Sequence, residues 1–141
     1  MTAAISPSVL VKLQTYLRKA FGSQTIAVRA RPKKGDTADV FVGNEPIGAI
    51  TVDDEDGELT YQFDWTIQEK PQPLSVQELV RIQTYLRDKL GAKTLSVRAR
   101  GKLKDSCEVF VGDESLALIS VGKNAYEFNM AILEMDLDDI V

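Results

Sequence analysis

The 141-residue chain contains no histidine and a single cysteine, Cys107. Without histidine there is no imidazole base, no imidazole metal ligand and no His-dependent serine or cysteine triad. One cysteine excludes an internal disulfide and a multi-cysteine metal knuckle, and it fits a reducing compartment. Basic residues are outnumbered: 17 Lys and Arg against 21 Asp and Glu leave a net charge of −4. That balance argues against nucleic-acid binding as a global property, although local patches stay open to it. Long apolar runs are missing as well. No stretch approaches the ~18 apolar residues of a membrane span. Met1 to Ile5 lacks the basic start and apolar core of an export signal. A soluble, cytoplasmic protein with no membrane partner is the expectation. With 44% hydrophobic and 27% charged residues, the composition is that of a chain that folds.

What is present is a sequence written twice. Leu10-Val11-Lys12-Leu13-Gln14-Thr15-Tyr16-Leu17-Arg18 returns as Leu79-Val80-Arg81-Ile82-Gln83-Thr84-Tyr85-Leu86-Arg87. At the same offset Val28-Arg29-Ala30-Arg31 matches Val97-Arg98-Ala99-Arg100, and Val40-Phe41-Val42-Gly43 matches Val109-Phe110-Val111-Gly112. An internal repeat of this quality means two copies of one fold. Each copy has about 70 residues, a size at which a lone core is marginal, so the halves are expected to share a core or pack tightly. The division is 1–67 for the first copy, 68–73 for a linker containing Pro71 and Pro73, and 74–141 for the second copy.

Both copies open with complete helix signals. Ser75 reads as an N-cap with Glu78 closing a capping box and Leu74 stapling onto Leu79, while Ser6 caps a helix with Pro7 in its first turn and Ile5 stapling onto Leu10. Gly22 and Gly91 supply the left-handed residue that ends a helix, which predicts helices over 7–21 and 76–90. Leu10, Leu13, Leu17, Ala20 and Phe21 form one apolar stripe, matched by Leu79, Ile82, Leu86 and Leu90.

Period-two segments follow each helix. Ile26, Val28 and Ala30 alternate with Ala27, Arg29 and Arg31, and the second copy repeats the pattern. A turn through Pro32-Lys33-Lys34-Gly35-Asp36 leads to a strand holding Val40-Phe41-Val42, and a third strand ends near Val52. The fourth alternates most cleanly, with Leu59, Tyr61, Phe63, Trp65 and Ile67 on one face; its counterpart carries Tyr126, Phe128, Met130 and Ile132. The fold class is therefore α+β: two tandem repeats, each one helix followed by a four-stranded antiparallel meander, related by a pseudo-two-fold. The acidic tail from Leu133 to Val141 would extend the last strand or dock elsewhere.

The motifs Leu13-Gln14-Thr15-Tyr16-Leu17-Arg18, Arg31-Pro32-Lys33-Lys34 with Asp36, and Asp53 to Gly57 stand in the first copy; Met130-Ala131-Ile132-Leu133 with Asp136-Leu137 stands in the second. As a set they resemble the alphaproteobacterial proteins grouped as domain of unknown function 3126, which look like single-copy units of about one repeat. The resemblance implies a bacterial source and no established activity. It is divided between the copies. The first ends differently, at Trp65-Thr66-Ile67-Gln68, and the second departs at Arg100-Gly101-Lys102-Leu103 and lacks the acidic loop.

Three surface features carry candidate function. Arg29, Arg31, Lys33 and Lys34, with Arg98, Arg100, Lys102 and Lys104, gather positive charge on one strand face and its hairpin, with Phe41 and Phe110 on the neighbouring strands as stacking partners. Asp39 and Glu108 on the same face offer the alternative that cross-strand pairs and Arg–Phe contacts occupy the arginines. The acidic loop Asp53 to Glu58 has metal-binding oxygens but not the spacing of a calcium loop, and Asp56-Gly57 equally suits a hairpin turn. The helix stripe Val11, Gln14 and Arg18 lies off the core face with Thr15 beside it, and it recurs as Val80, Gln83 and Arg87 with Thr84. The stripes either meet each other or a partner in a two-fold helix contact, or they are simply solvated. Cys107, opposite Ala38 in the repeat, reads as a small half-buried strand residue. No carboxylate pair, phosphate loop or nucleotide fingerprint singles out a reaction. The expectation is a non-enzymatic protein–protein interaction or assembly module with an unknown protein partner, no cofactor and no bound metal, as a monomer with pseudo-dimeric repeats or a homodimer. Anion or nucleic-acid binding through the paired basic hairpins is the alternative.

Overall fold

The computed structural model describes residues 4–54 and 58–138. Helix α1 (Pro7–Phe21) precedes strands β1 (Ile26–Arg31), β2 (Lys34–Val42), β3 (Glu45–Asp53) and β4 (Thr60–Ile67). Helix α2 (Val76–Leu90) precedes β5 (Leu95–Ala99), β6 (Ser106–Val111), β7 (Glu114–Val121) and β8 (Tyr126–Leu133), and the short helix α3 (Glu134–Asp138) follows. The strands form one antiparallel eight-stranded sheet in the order β1-β2-β3-β4-β8-β7-β6-β5. Among the described residues, no helix is long and apolar enough to cross a membrane.

The helix bounds follow from local chemistry. Ser6 and Ser75 hold extended backbone and accept hydrogen bonds from Val9 and Glu78 amides at 3.3 and 3.2 Å. Gly22 and Gly91 at φ of 66° and 67° turn the chain out of the helix, a conformation that costs a residue with a Cβ. Leu13, Leu17 and Phe21 on α1, and Ile82, Leu86 and Leu90 on α2, are buried.

Both helices cover one face of the sheet. Phe128 on β8 stands at its centre, with ring centroids 5.5 Å from both Phe63 and Trp65 on β4 and 6.4 Å from Phe21 on α1. Trp65 in turn lies 6.2 Å from Tyr85 on α2. Residues from both halves of the sequence thus belong to a single apolar cluster. The opposite sheet face is open to solvent.

Three details differ from the sequence expectations, and the acidic tail takes the second of the two courses left open to it. The first hairpin is tighter, because Lys33 takes up the positive φ of 67° and Lys34, Gly35 and Asp36 already belong to β2. Ala30 and Ala99 are exposed rather than inward, as each lies at the far end of an edge strand beyond the apolar cluster. The tail does not prolong β8 past Leu133. It turns into α3, whose two acids in the first turn suit a helix start, and buries Leu137 while packing on α1. Finally, the capping box is half made: Glu78 does not return a bond to the Ser75 amide, which donates to the Pro73 carbonyl instead.

Glu78 is spent elsewhere. It is 7% exposed, accepts two hydrogen bonds from Arg81 at 3.0 and 2.6 Å, and accepts another from the Tyr126 hydroxyl. Arg81 also pairs with Glu69, so the segment after β4, α2 and β8 are tied through one ionic network. The Arg81 bonds hold the Glu78 carboxyl below its usual range against the opposing effect of burial, and the Tyr126 bond adds to them. A carboxyl lowered in the folded state contributes stability above the unfolded value of about 4.3, and that contribution is lost as pH falls through the folded value. Urea unfolding is therefore expected to show that Glu78→Gln loses about 1–3 kcal/mol at neutral pH. It should also show a shallower loss of stability on acidification than the parent.

Candidate functional site

The basic hairpins β1–β2 and β5–β6 sit at the two ends of the sheet. Seven strand spacings of ~4.8 Å separate β1 from β5, roughly 34 Å along a flat sheet. Their arginines are engaged. The Arg29 guanidinium lies 4.6 Å from the Phe41 ring centre and Arg98 lies 4.2 Å from that of Phe110. Arg31 donates to Asp39 at 2.5 and 3.0 Å, and that partner raises its pKa. Arg100 donates to Ser106 Oγ at 3.1 Å and stands 3.9 Å from Glu108. Arg98 also donates to the Gly112 carbonyl at 3.1 Å. Such exposed, solvent-screened contacts orient a side chain but do not hold a fold. Lys33, Lys34, Lys102 and Lys104 are exposed, and no ion pair to them occurs among the described residues.

The Gln and Arg of the helix stripes bond the adjacent strand. Gln14 Oε1 accepts from the Val28 amide at 3.0 Å, and Arg18 Nε donates to the Ile26 carbonyl at 2.6 Å. Gln83 and Arg87 make the same two bonds to Val97 and Leu95, again at 3.0 and 2.6 Å. Since β1 and β5 are the outermost strands, these are the backbone groups that would otherwise await another strand. The Gln and Arg of each stripe clamp the sheet edge. Val11 and Val80 are 64% and 56% exposed, so the stripes do not bury one another within the chain. A helical wheel shows which residues leave the core face; it does not show a strand lying beside the helix.

Contacts between the halves were not legible beforehand. Lys89 on α2 pairs with Glu45 at the start of β3. Tyr16 on α1 lies beside Val111 and Glu114 of the second half, and burial with the nearby Asp136 and Glu114 carboxylates pushes its pKa up to about 12.

Little here supports chemistry. Cys107 is wholly buried, where half-burial was expected, and burial pushes its thiol up to about 11, far from a reactive thiolate. Among the described residues, no three His, Cys, Asp or Glu side chains converge as metal ligands. The tip of the acidic loop, Glu55 to Gly57, lies outside the described residues, and Asp53 closes β3.

The fold and the contacts define an α+β chain made of two homologous segments on one sheet. The chain belongs to the family described as Protein of unknown function (DUF3126), whose model matches twice, over residues 10–71 and 78–136. No curated protein and no solved structure matched it.

The edge clamps generate a prediction. Replacing Gln14 and Arg18 together by Ala should destabilise the chain by about 2–4.5 kcal/mol, the sum of one neutral and one charged hydrogen bond. With Gln83→Ala and Arg87→Ala added, sedimentation should reveal concentration-dependent association of the exposed edges. A chain that stays at its original mass and melting temperature would show the clamps to be dispensable.

Proposed function

We propose that this chain is a non-enzymatic protein–protein interaction or assembly module built as a fused dimer. In this reading two helix-plus-four-strand units are related by a pseudo-two-fold axis between β4 and β8. The observation that carries it is the register of that strand pair. Ile50 stands opposite Phe63 and Ile119 opposite Phe128, which makes Phe63 and Phe128 equivalent. On that equivalence the ladder maps onto itself. Phe63 opposite Met130 corresponds to Phe128 opposite Trp65, and Tyr61 opposite Ile132 corresponds to Tyr126 opposite Ile67. Asp64 and Asn129, themselves equivalent, face each other at the centre. Self-pairing of one surface is how symmetric dimers are made.

Fusion turns two small domains into one broad solvent-facing sheet with its outer edges occupied by Gln and Arg side chains. A partner therefore meets side chains and loops drawn from both units, rather than an open strand. Each copy is free to contribute different residues to that composite surface, which fits the charge differences between their loops. Engagement of the hairpin arginines by Phe41, Asp39, Phe110 and Ser106 favours this reading over anion or nucleic-acid binding.

Two experiments test the proposal. At the centre of the ladder Asn129 donates to Asp64 at 2.6 Å. Asn129→Asp would set like charges directly opposite and should cost roughly 0.2–1 kcal/mol at neutral pH. Thermal melts should find the loss reversed when Asp64→Asn is added. No effect from either change would remove the central pair from the argument. For function, the intact chain should be crosslinked in its native cell and purified with and without nuclease at rising salt. A protein retained through nuclease and salt is the expected result. Recovery of nucleic acid that washes off steeply with salt, or of no macromolecule at all, would overturn the reading.

A further inference from the structure

Beside the linker lies a shallow groove of about 600 Å³. Pro71 and Pro73 line it together with Lys102, Leu103, Lys104 and Lys123. We infer that it is a docking site for an extended acidic peptide segment of a partner protein, one carrying an apolar side chain among its carboxylates. The inference rests on the interaction-module reading above and names where, and to what chemistry, the module binds.

Charge is the first argument. In a chain of net charge −4, this groove gathers three lysines against one acid, Asp105. All three are exposed, and no ion pair to them occurs among the described residues. The lysines Lys102 and Lys104 flank Leu103, which leaves 49% of its surface in water. A cationic rim around an exposed apolar side chain complements carboxylates flanking an apolar one. It does not suit a bare phosphate, which would leave the leucine unused.

Rigidity is the second. The Leu74 amide donates to the Lys104 carbonyl at 2.9 Å, and the Val121 amide donates to the Asp105 carbonyl at 2.9 Å. The residue that follows the linker, the β5–β6 loop and the end of β7 are thereby joined through their backbones. Below the rim the Gln72 amide donates to the Tyr126 hydroxyl at 2.9 Å, and Leu74 is buried at 4% exposure. A wall held in this way loses little freedom when a peptide lies down on it. The prolines have no amide hydrogen to leave unpaired beneath a bound chain.

The first copy supplies an internal control. Its Ile5 amide bonds the Gly35 carbonyl at 2.7 Å, as Leu74 bonds Lys104, so the same backbone frame exists there. On that frame Lys34 stands in the place of Leu103, and Asp53 and Asp54 stand in the places of Gly122 and Lys123. The same position in the fold is charge-mixed in one copy and basic with an apolar centre in the other.

The test uses the whole chain. A displayed library of random 12-residue peptides is selected on the parent and counter-selected on Lys102→Glu/Leu103→Ser/Lys104→Glu/Lys123→Glu, and the winners are synthesised with a fluorescent label. Expected winners pair Asp or Glu with a large apolar residue. The lysine changes should weaken them on the order of tenfold at low salt and flatten their salt dependence, as removal of complementary charge does. Leu103→Ser alone should weaken them several-fold without changing the salt slope. Lys33→Glu/Lys34→Glu, the matching change in the first copy, should leave affinity unchanged. All these positions are exposed, and unaltered melting curves will verify folding. Peptides without acidic bias, peptides that bind the fourfold variant equally well, or equal affinity for a single-stranded oligonucleotide would overturn the inference. A partner recovered from cells whose retention ignores the groove variants would also overturn it while leaving the interaction-module reading intact. Absence of any protein partner would instead remove that reading.

Discussion

An open β-sheet ends in two strands whose outward amides and carbonyls have no partner, and the architecture of this protein follows from how those groups are occupied. A single unit of β1 to β4 would have two such edges, one at β1 and one at β4. The β1 edge is taken by side chains of the preceding helix, the β4 edge by β8. The two solutions differ in strength. Gln14 and Arg18 satisfy two backbone groups, whereas the β4–β8 ladder runs over eight residue pairs and brings Phe63, Trp65 and Phe128 into one aromatic cluster. Each buried aromatic there is worth several times a surface contact, since truncating one costs roughly 3–5 kcal/mol. The β4–β8 seam is where the molecule is held together.

The seam also explains why core and surface have diverged differently between the copies. Tyr61 and Tyr126 are both buried, as are Phe63 and Phe128, because each packs on the other half across the ladder. Trp65 and Met130 differ in size, yet both are buried and lie on either side of the same centre. Trp65 stands opposite Phe128 and Met130 opposite Phe63, so the ladder accommodates a rigid ring at one position and a flexible thioether at the other. Asp64 and Asn129 show the same freedom in charge. In the proposed fused-dimer reading, two identical chains would bring like residues together at the centre, whereas one continuous chain places the Asn129 donor opposite the Asp64 acceptor.

Much of the local architecture was readable from residues alone. The helix bounds came from Ser caps, Pro7 and the two terminal glycines, all of which act within one turn of the backbone. Strand alternation likewise identified the inward faces of β4 and β8 before any tertiary contact was known. What could not be read was which strands meet. Alternation assigns a face, not an edge, and nothing local to Tyr61 or Tyr126 says that their strands are neighbours. The same gap hid the roles of Gln14, Arg18 and Glu78. Position on its own helix puts each in a surface stripe or a cap, and each bonds an element remote in sequence: the edge strand for the first two, Tyr126 for the third. The two courses open to the tail could not be separated locally either, since its alternating apolar and acidic residues suit a strand, while docking of Leu137 as α3 packs on α1 favours the helical turn.

Closing the edges has a consequence for recognition. Many sheets bind peptides by adding a strand, which draws affinity from backbone hydrogen bonds and is tolerant of sequence. Here the amide and carbonyl that would begin such a strand are already bonded at both ends of the sheet, by the same residue types at the same distances. In the proposed reading selectivity comes from side chains, and side chains are where the two copies differ. The frame that joins the residue before each helix to the following hairpin is kept in both halves, through Ile5 to Gly35 and Leu74 to Lys104, while the charges mounted on it are not. A backbone retained under changing side chains separates the element that holds the fold from the side chains that the proposed reading assigns to recognition. The proposed peptide groove lies where that separation is widest.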